Sequence, residues 1–151
     1  STLHTNSAAG AITRLLDMGI EPYLLASCLR GVVAQRLVRR VCPKCVEKYE
    51  ASAAELGCLH LNLTESHFLV EALGCMDCYG TGFSGRMAVQ EVLTVNEEIR
   101  SLIVRKAPEA EILAVAARNG FVPLYEDGVR KVLAGATTVT ELLRIVEVDF
   151  K

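Results

Sequence analysis

Two Cys-x-x-Cys motifs constrain this sequence more than any other feature. They are Cys42-Pro-Lys-Cys45 and Cys75-Met-Asp-Cys78, separated by the 29 residues 46–74. Each motif can direct two thiolates at one point, and four thiolates match the tetrahedral, soft-ligand preference of a structural zinc ion. The spacing therefore predicts one zinc ion bound by Cys42, Cys45, Cys75 and Cys78. Because cysteine fills all four positions and leaves none for water, the predicted ion is structural.

Two disulfides or two redox-active pairs are the alternative interpretations of these motifs. Disulfides are disfavoured because the sequence shows neither the basic n-region nor the apolar h-region of a signal peptide. Redox pairs are disfavoured because neither motif begins a helix in a thioredoxin-like βαβ pattern. Of the other two cysteines, Cys28 lies in an apolar helical run and is predicted to be a small core residue. Cys58 is predicted to lie in the loop closed by the metal.

The composition is that of a globular protein with an excess of apolar residues. The 151 residues are 51% hydrophobic and 23% charged, with a net charge of -2 and a mean hydropathy of +0.31. This length suits one ordinary domain or two small ones. No apolar stretch approaches the roughly 18–20 residues needed to span a bilayer. The excess therefore predicts apolar surface that is covered by other protein, and the opening run Ser1–Asn6, which reads like a strand end and its loop, predicts a fragment of a longer chain.

Charge is distributed unevenly around the first cysteine motif. Residues 30–48 contain six basic residues and one acid, whereas residues 49–85 contain five acids and no Lys or Arg. The basic run suits phosphates, nucleic acid or an acidic neighbour. Nucleic acid is disfavoured as a partner because aromatic interleaving and named nucleic-acid fold signatures are missing. Four thiolates around one dication also leave a net negative charge, which gives the neighbouring basic residues a structural role.

Apolar periodicity predicts a mixed α+β fold. Before the cysteine motifs it predicts a helix at 7–18, a second helix beginning at Pro22 and a strand at 32–41. The predicted apolar face of the second helix consists of Leu24, Leu25, Cys28 and Leu29. Between the motifs, 56–63 and 68–73 are predicted to be short helical pieces or irregular loop.

A glycine-dense run, Gly80–Arg86, follows the second motif. A phosphate-binding loop is disfavoured there, because no Gly-Lys-Ser/Thr follows and the next element is a predicted strand at 87–93. We expect a tight turn beside the metal.

From residue 96 onward the sequence predicts four short amphipathic helices. Their starting signals are Asn96, Pro108, Pro123 and the capping-box pattern Thr138-x-x-Glu141. Short amphipathic helices bury their apolar stripes only against one another or against neighbouring strands. This region is therefore predicted to be a small helical subdomain.

Three runs of the sequence together resemble a known family. They are Ser1–Ala9, Gly31–Cys45 and Gly80–Val92. These runs, in this order, resemble the C-terminal part of the type II secretion and type IV pilus assembly ATPases. The resemblance covers nearly the whole chain, although the region after residue 103 adds little beyond a helical pattern.

The resemblance implies a hexameric, cytoplasmic motor ATPase with a RecA-like core, peripheral to the inner membrane. It also implies that the full-length protein uses ATP and Mg, forms a homo-hexamer and contacts an inner-membrane platform or other secretion-apparatus proteins. Leu3–Asn6 resembles the second half of the family's histidine box, which implies that His4 lies near the γ-phosphate or couples nucleotide state to neighbouring subunits. By residue type alone, a single His at a strand end is better explained as a polar loop residue, and the resemblance reverses this preference.

The basic strand before Cys42 contains a second candidate residue. Arg36 is predicted to make a nucleotide or subunit contact in the full-length protein, because a basic residue on the last core strand can reach a phosphate or an acidic neighbour. Arg39 and Arg40 are as well explained as a solvated or zinc-compensating basic surface, with Arg39 mostly solvated or paired with acids.

The 151 residues lack the parts that perform ATP hydrolysis. They contain neither Gly-x-x-x-x-Gly-Lys-Ser/Thr nor an apolar strand ending in paired acids. Phosphoryl transfer depends on phosphate positioning and charge stabilisation by those groups. The fragment alone is therefore predicted not to hydrolyse ATP.

The predicted organisation has three parts. Residues 1–41 form the C-terminal end of a RecA-like α/β core, 42–85 a tetracysteine zinc-binding insert, and 86–151 a strand with a small helical C-terminal subdomain. The alternative is a free-standing zinc-stabilised scaffold or adaptor that binds a protein partner through its apolar surface.

Overall fold

The computed structural model describes residues 1–146, which fold as seven α-helices and four β-strands. The helices are α1 (Ala8–Asp17), α2 (Pro22–Cys28), α3 (Ala53–Cys58), α4 (Glu97–Val104), α5 (Glu109–Arg118), α6 (Leu124–Leu133) and α7 (Val139–Val146). The strands are β1 (Gly31–Val41), β2 (Val46–Glu50), β3 (Phe68–Ala72) and β4 (Phe83–Thr94), and Met76–Cys78 is a 3-10 turn. The predicted α+β class is confirmed.

The strands form two separate two-stranded sheets. β1 pairs with β4, and β2 pairs antiparallel with β3. Within residues 1–146, no helix is long and apolar enough to cross a bilayer.

Most helix starts follow the local signals in the sequence. The Ser7 side chain accepts a hydrogen bond from the Gly10 N–H (2.9 Å) at the start of α1, and Asn96 accepts one from the Ile99 N–H (2.9 Å) at the start of α4. These side chains satisfy backbone donors that a helix leaves unpaired in its first turn. Pro22 occupies the first turn of α2 as predicted, where its missing N–H costs nothing.

Three local predictions were wrong. Residues 68–72 form strand β3 rather than a helix or loop, because they pair with β2 and bury Leu69 and Val70. Cys28 is exposed rather than a core residue, because the short helix α2 buries only Leu25 and Ala26. The glycine-dense turn is shorter than predicted, since β4 already begins at Phe83.

The chain divides into two compact units. The first contains Ser1–Gln35 and Gln90–Leu124, and the second contains Arg36–Val89 and the described residues from Tyr125 onward. Strands β1 and β4 each contribute residues to both units. The predicted functional division at residues 41/42 and 85/86 stays a prediction. The last five residues of its third part lie outside the described chain.

The first unit has an apolar core built from helices and strand ends. Its fully buried members include Ala9 of α1, Leu93 of β4 and Ile103 of α4. Helix α2 packs against α4, and α1 packs against α5. The core therefore forms where the apolar stripes of four short helices meet, as their amphipathic patterns require.

Glu91 places a buried carboxylate at two helix starts. The side chain lies on β4 and is 7% exposed. Its Oε1 accepts a hydrogen bond from the N–H of Ala8 (2.6 Å), and its Oε2 accepts one from the N–H of Leu124 (3.0 Å). Ala8 and Leu124 are the first residues of α1 and α6, where an anion is favoured by the helix dipole and by the unpaired N–H groups. One buried charge is thereby satisfied by backbone donors from two elements.

The second unit joins the β2–β3 hairpin to α6 and α7. Gly128 of α6 allows these two helices to approach closely, because a Cβ at this position would lie 2.2 Å from the Leu142 Cδ1 of α7. The connection between the helices also covers the edge of β1, where the Val41 N–H donates to the Ala136 carbonyl (3.1 Å) and the Thr137 hydroxyl to the Arg39 carbonyl (2.8 Å). Backbone groups that an edge strand would leave unpaired are thus satisfied.

Replacing Glu91 by Gln tests the carboxylate at the two helix starts. We expect Glu91→Gln to lower the free energy of unfolding by about 1–3 kcal/mol, because an amide presents one oxygen where two N–H groups each need an acceptor. Urea unfolding followed by circular dichroism measures the change. Glu98→Gln is the control, since Glu98 is exposed and its Arg118 partner is 3.7 Å away, and its effect should stay below about 1 kcal/mol. Equal stabilities of the two variants would contradict the role given to Glu91.

Candidate metal centre

The four predicted cysteine ligands come together in the second unit. The Sγ atoms of Cys42, Cys45, Cys75 and Cys78 all lie within 4.8 Å of one another. The Sγ–Sγ distance is 4.0 Å between Cys42 and Cys75, 3.8 Å between Cys45 and Cys78, and 3.7 Å between Cys75 and Cys78. Cys42 and Cys78 are buried, whereas Cys45 and Cys75 are half-buried.

These distances fit a tetrahedral metal ion. A tetrahedron with metal–sulfur bonds of about 2.3 Å has sulfur–sulfur edges of about 3.8 Å. The same distances are far longer than a disulfide bond of about 2.05 Å, and all six cysteines are free thiols. The arrangement therefore fits four thiolates around one ion and does not fit paired disulfides.

The β2–β3 hairpin is what brings the two motifs together. β2 begins directly after Cys45, β3 ends shortly before Cys75, and Val46 lies opposite Ala72 in the antiparallel register. The hairpin thus brings the two ends of the 29-residue segment between the motifs close together. The Leu73 N–H donates to the Cys45 carbonyl (3.4 Å) and continues this closure toward the second motif.

Backbone donors favour the thiolate at Cys78. Its Sγ accepts hydrogen bonds from the N–H groups of Cys75 (3.1 Å) and Gly82 (3.2 Å). Burial opposes the charged form of this thiol, but the donors outweigh it and lower the pKa of Cys78 to about 6. Burial and the neighbouring cysteines instead raise the pKa of Cys45 to about 12. A metal ion that binds all four sulfurs must therefore displace protons from the remaining thiols.

His4 and Arg36, the other predicted site residues, belong to different compact units. His4 is exposed and lines an open cavity of about 390 Å³ in the first unit, together with Asn6, Arg14 and Glu109. Arg36 lies on β1 and is half-buried. The structure does not include either residue in the cysteine cluster, and their predicted roles in nucleotide or subunit contact stay predictions.

The structure also contains an ion pair between Arg39 and a buried acid, Glu141, that the sequence did not identify as its partner. The Glu141 carboxylate, 1% exposed, accepts hydrogen bonds from the backbone N–H of Arg39 (3.0 Å) and from its guanidinium Nη2 (2.6 Å). The same guanidinium lies 4.0 Å from the ring centroid of Phe83. Burial favours the neutral acid, but the Arg39 bonds outweigh it and lower the pKa of Glu141 to about 2. Arg39 is thus paired with an acid, one of the two alternatives predicted for it.

The pair also modifies the predicted capping box. Thr138 accepts a hydrogen bond from the Glu141 N–H (3.3 Å) as the pattern requires. The Glu141 side chain, however, bonds Arg39 of β1 across a sequence separation of 102 residues. The Thr138-x-x-Glu141 spacing therefore predicts a role for Glu141 at a helix start, but nothing in the sequence identifies Arg39 as its partner.

Comparison with known proteins finds a family model and several relatives that match nearly the whole chain. A family model described as Type II/IV secretion system protein matches residues 1–144. The chain is similar to type II secretion system protein E of Pseudomonas aeruginosa, with 48% identity over 145 residues that cover 96% of this chain and 29% of that protein. It is also similar to the type IV pilus assembly ATPase PilB of Thermus thermophilus, with 46% identity over 147 residues that cover 95% of this chain and 16% of that protein. A third relative, type II secretion system ATPase E of Vibrio cholerae, is 42% identical over 147 residues, 97% of this chain and 29% of that protein.

Elemental analysis tests the metal centre. Protein prepared without chelator should contain one zinc ion per chain, and Cys75→Ser should lower this to less than about a tenth, because a tetrahedral site that loses one thiolate binds zinc much more weakly. The helices of the first unit should survive, as monitored by circular dichroism. Cys28→Ser is the control, since Cys28 is exposed and outside the cluster, and it should keep the zinc. Metal-free wild-type protein, or two disulfides detected by mass spectrometry, would contradict the prediction.

Replacing Arg39 by Ala tests the ion pair with Glu141. We expect the free energy of unfolding to fall by about 1–2 kcal/mol at neutral pH, because the buried carboxylate loses the closer of its two guanidinium donors. It keeps the backbone N–H of residue 39 and the Arg144 guanidinium (3.3 Å), and solvent already screens part of the half-exposed Arg39. The pKa of Glu141 is lowered from 4.5 to about 2, so its contribution is present above pH 4.5 and is lost as the pH falls toward 2. The stability difference between wild type and Arg39→Ala should shrink over that range in urea titrations. Arg40→Ala, at an exposed position, should change stability little, and a difference that grows in acid would refute the pairing.

Proposed function

The chain belongs to the type II/IV secretion system protein family, and from this membership we propose that it is the C-terminal part of a hexameric cytoplasmic motor ATPase. In this proposal the full-length protein couples ATP hydrolysis to type II protein secretion or to type IV pilus assembly. The observation that carries the proposal is the identity of 42–48% with proteins named for these systems over 95% or more of this chain. Two of these relatives are named as ATPases, which favours a motor over a free-standing adaptor.

The proposal assigns the chemistry of ATP hydrolysis to parts of the protein outside this chain. The chain spans 29% and 16% of the first two relatives, and its own sequence holds no P-loop. ATP and Mg would accordingly bind to the full-length protein, on a RecA-like core of which residues 1–41 form the end. Residues 1–151 alone are expected to be inactive.

His4 and Arg36 are the residues of this chain that we propose to act in that machinery. An imidazole and a guanidinium can each donate a hydrogen bond or a positive charge to a phosphoryl group or to an acidic neighbour. The exposed position of His4, at the rim of an open cavity before α1, leaves it accessible to such a partner. Arg36 would act as a nucleotide or subunit contact from β1.

The metal centre has a structural role in the proposal. Cys42, Cys45, Cys75 and Cys78 would hold zinc, which supplies a rigid cross-link between the two motifs when it is bound. The all-cysteine set leaves no coordination position for substrate or water. The metal centre is therefore assigned stability rather than catalysis.

The proposed partners follow from the family. The full-length motor would form a homo-hexamer, lie in the cytoplasm at the inner membrane, and act on an inner-membrane platform or other secretion-apparatus proteins. Nucleic acid is not among the proposed partners. The exposed side chains of Met76 and Tyr79, 93% and 92% accessible beside the metal centre, fit the expectation of apolar surface covered by other protein.

Kinetics of the full-length hexamer test the proposed roles. We expect His4→Ala and Arg36→Ala each to lower ATP turnover by about tenfold or more, because each removes a positioned donor near the transferring phosphoryl group or the subunit contact. Zinc content should stay unchanged in both variants. Arg40→Ala is the control, since Arg39 pairs with a buried acid and its loss would also destabilise the fold. If both variants turned over ATP at the parent rate in an intact hexamer, the assignment of these two residues would be wrong.

A further inference from the structure

The peptide groups of Gly82 link the two cysteine motifs. Its N–H donates a hydrogen bond to the Cys78 Sγ (3.2 Å), and its carbonyl accepts one from the Cys42 N–H (2.9 Å). Gly82 immediately precedes β4, and Cys42 immediately follows β1. One residue thus contacts a ligand of each motif at the point where the two strands meet the metal centre.

Only glycine fits at this position. Gly82 has a φ of +74°, in the left-handed region that residues with a Cβ rarely adopt. A Cβ built on it would lie 2.5 Å from the Ala72 carbonyl oxygen and 2.7 Å from the Ala72 Cβ. Because Ala72 is the last residue of β3, any side chain at position 82 would push the second motif away from the β2–β3 hairpin.

We propose that Gly82 is the positioning residue of the metal centre: its two hydrogen bonds tie the Cys78 thiolate to the backbone of Cys42 and to the adjoining ends of β1 and β4. This inference rests on the proposed metal centre. Its physical basis is that an N–H donor to a ligating sulfur orients the thiolate and disperses its charge. Such outer-shell partners change metal affinity by about 10- to 100-fold.

Gly85, three residues later in β4, supplies a matched control. It has the same φ of +74°, but a Cβ built on it would meet no atom within 4 Å. Gly82→Ala and Gly85→Ala therefore carry the same left-handed backbone cost. They differ in the clash with Ala72 and in contact with the metal centre.

Zinc affinity distinguishes the two variants. In competition titrations of the chain with a chromophoric zinc chelator, Gly82→Ala should bind zinc at least about tenfold more weakly than wild type, and Gly85→Ala should stay within about threefold. The absorption bands of the Co(II)-substituted proteins should shift in Gly82→Ala and not in Gly85→Ala, because they report the geometry around the four sulfurs. Equal zinc affinities of the two variants would overturn the inference.

Hydrogen exchange of the wild-type chain decides the question even if Gly82→Ala fails to fold. Zinc should slow amide exchange at Cys42 and Gly82 by about tenfold or more relative to the chelator-treated protein, because both N–H groups are tied to the metal centre. The Val95 amide, bonded to the Arg30 carbonyl in the first unit, should change far less. Zinc binding without added protection at Cys42 and Gly82 would overturn the inference alone. A wild-type chain that binds no zinc would overturn the metal centre and the inference together.

Discussion

The antiparallel pairing of β2 with β3 is the constraint on which the metal centre depends. The two cysteine motifs are separated by 29 residues, and closing a loop of that length costs about 3 kcal/mol of chain entropy. The pairing of β2 with β3 offsets this entropy cost. Its register, with Val46 opposite Ala72, places Cys45 and Cys75 at the open end of the hairpin. The sulfur atoms can then reach the separations that a tetrahedral ion requires, without a further loss of backbone conformational entropy. A metal ion bound by these sulfurs and the backbone ladder would therefore stabilise the same closure, and each would make the other more favourable.

Buried carboxylates are the second recurring device in this chain. Glu91 in the first unit and Glu141 in the second are almost fully buried, which is rare for an acid without partners. Both accept a hydrogen bond from the backbone of an element distant in sequence, at Ala8 and at Arg39 respectively. A buried charge contributes little net stability, but its geometry is demanding, because removing a partner leaves an uncompensated charge in the interior. These two acids thus restrict which elements can pack together in each unit.

The metal centre and the proposed motor function make different demands on the chain. An ion held by four thiolates has no open position and lends rigidity, whereas phosphoryl transfer needs positioned charge at a phosphate. The proposed division of labour follows from this difference. In this proposal the cysteines and Gly82 would hold the second unit together, while His4 and Arg36 would be the residues through which the chain contacts nucleotide or a neighbouring subunit.

The sequence by itself determined the features that depend on interactions between residues close together in the chain. Cys-x-x-Cys spacing brings two thiolates together within a few residues, and the caps Ser7 and Asn96 act on N–H groups three residues away. The cysteine cluster and most helix starts were therefore predictable, while metal binding by the cluster stays a prediction. The family could also be recognised from the sequence, because each of the three runs that resemble it is a contiguous stretch. Only the tertiary structure decided that 68–72 is a strand, since a five-residue segment gains its conformation from its partner strand. It alone decided that Cys28 faces outward and that Arg39 meets Glu141 across 102 residues. Burial and long-range pairing depend on how elements pack, and that information is distributed over the whole chain rather than held at any one position.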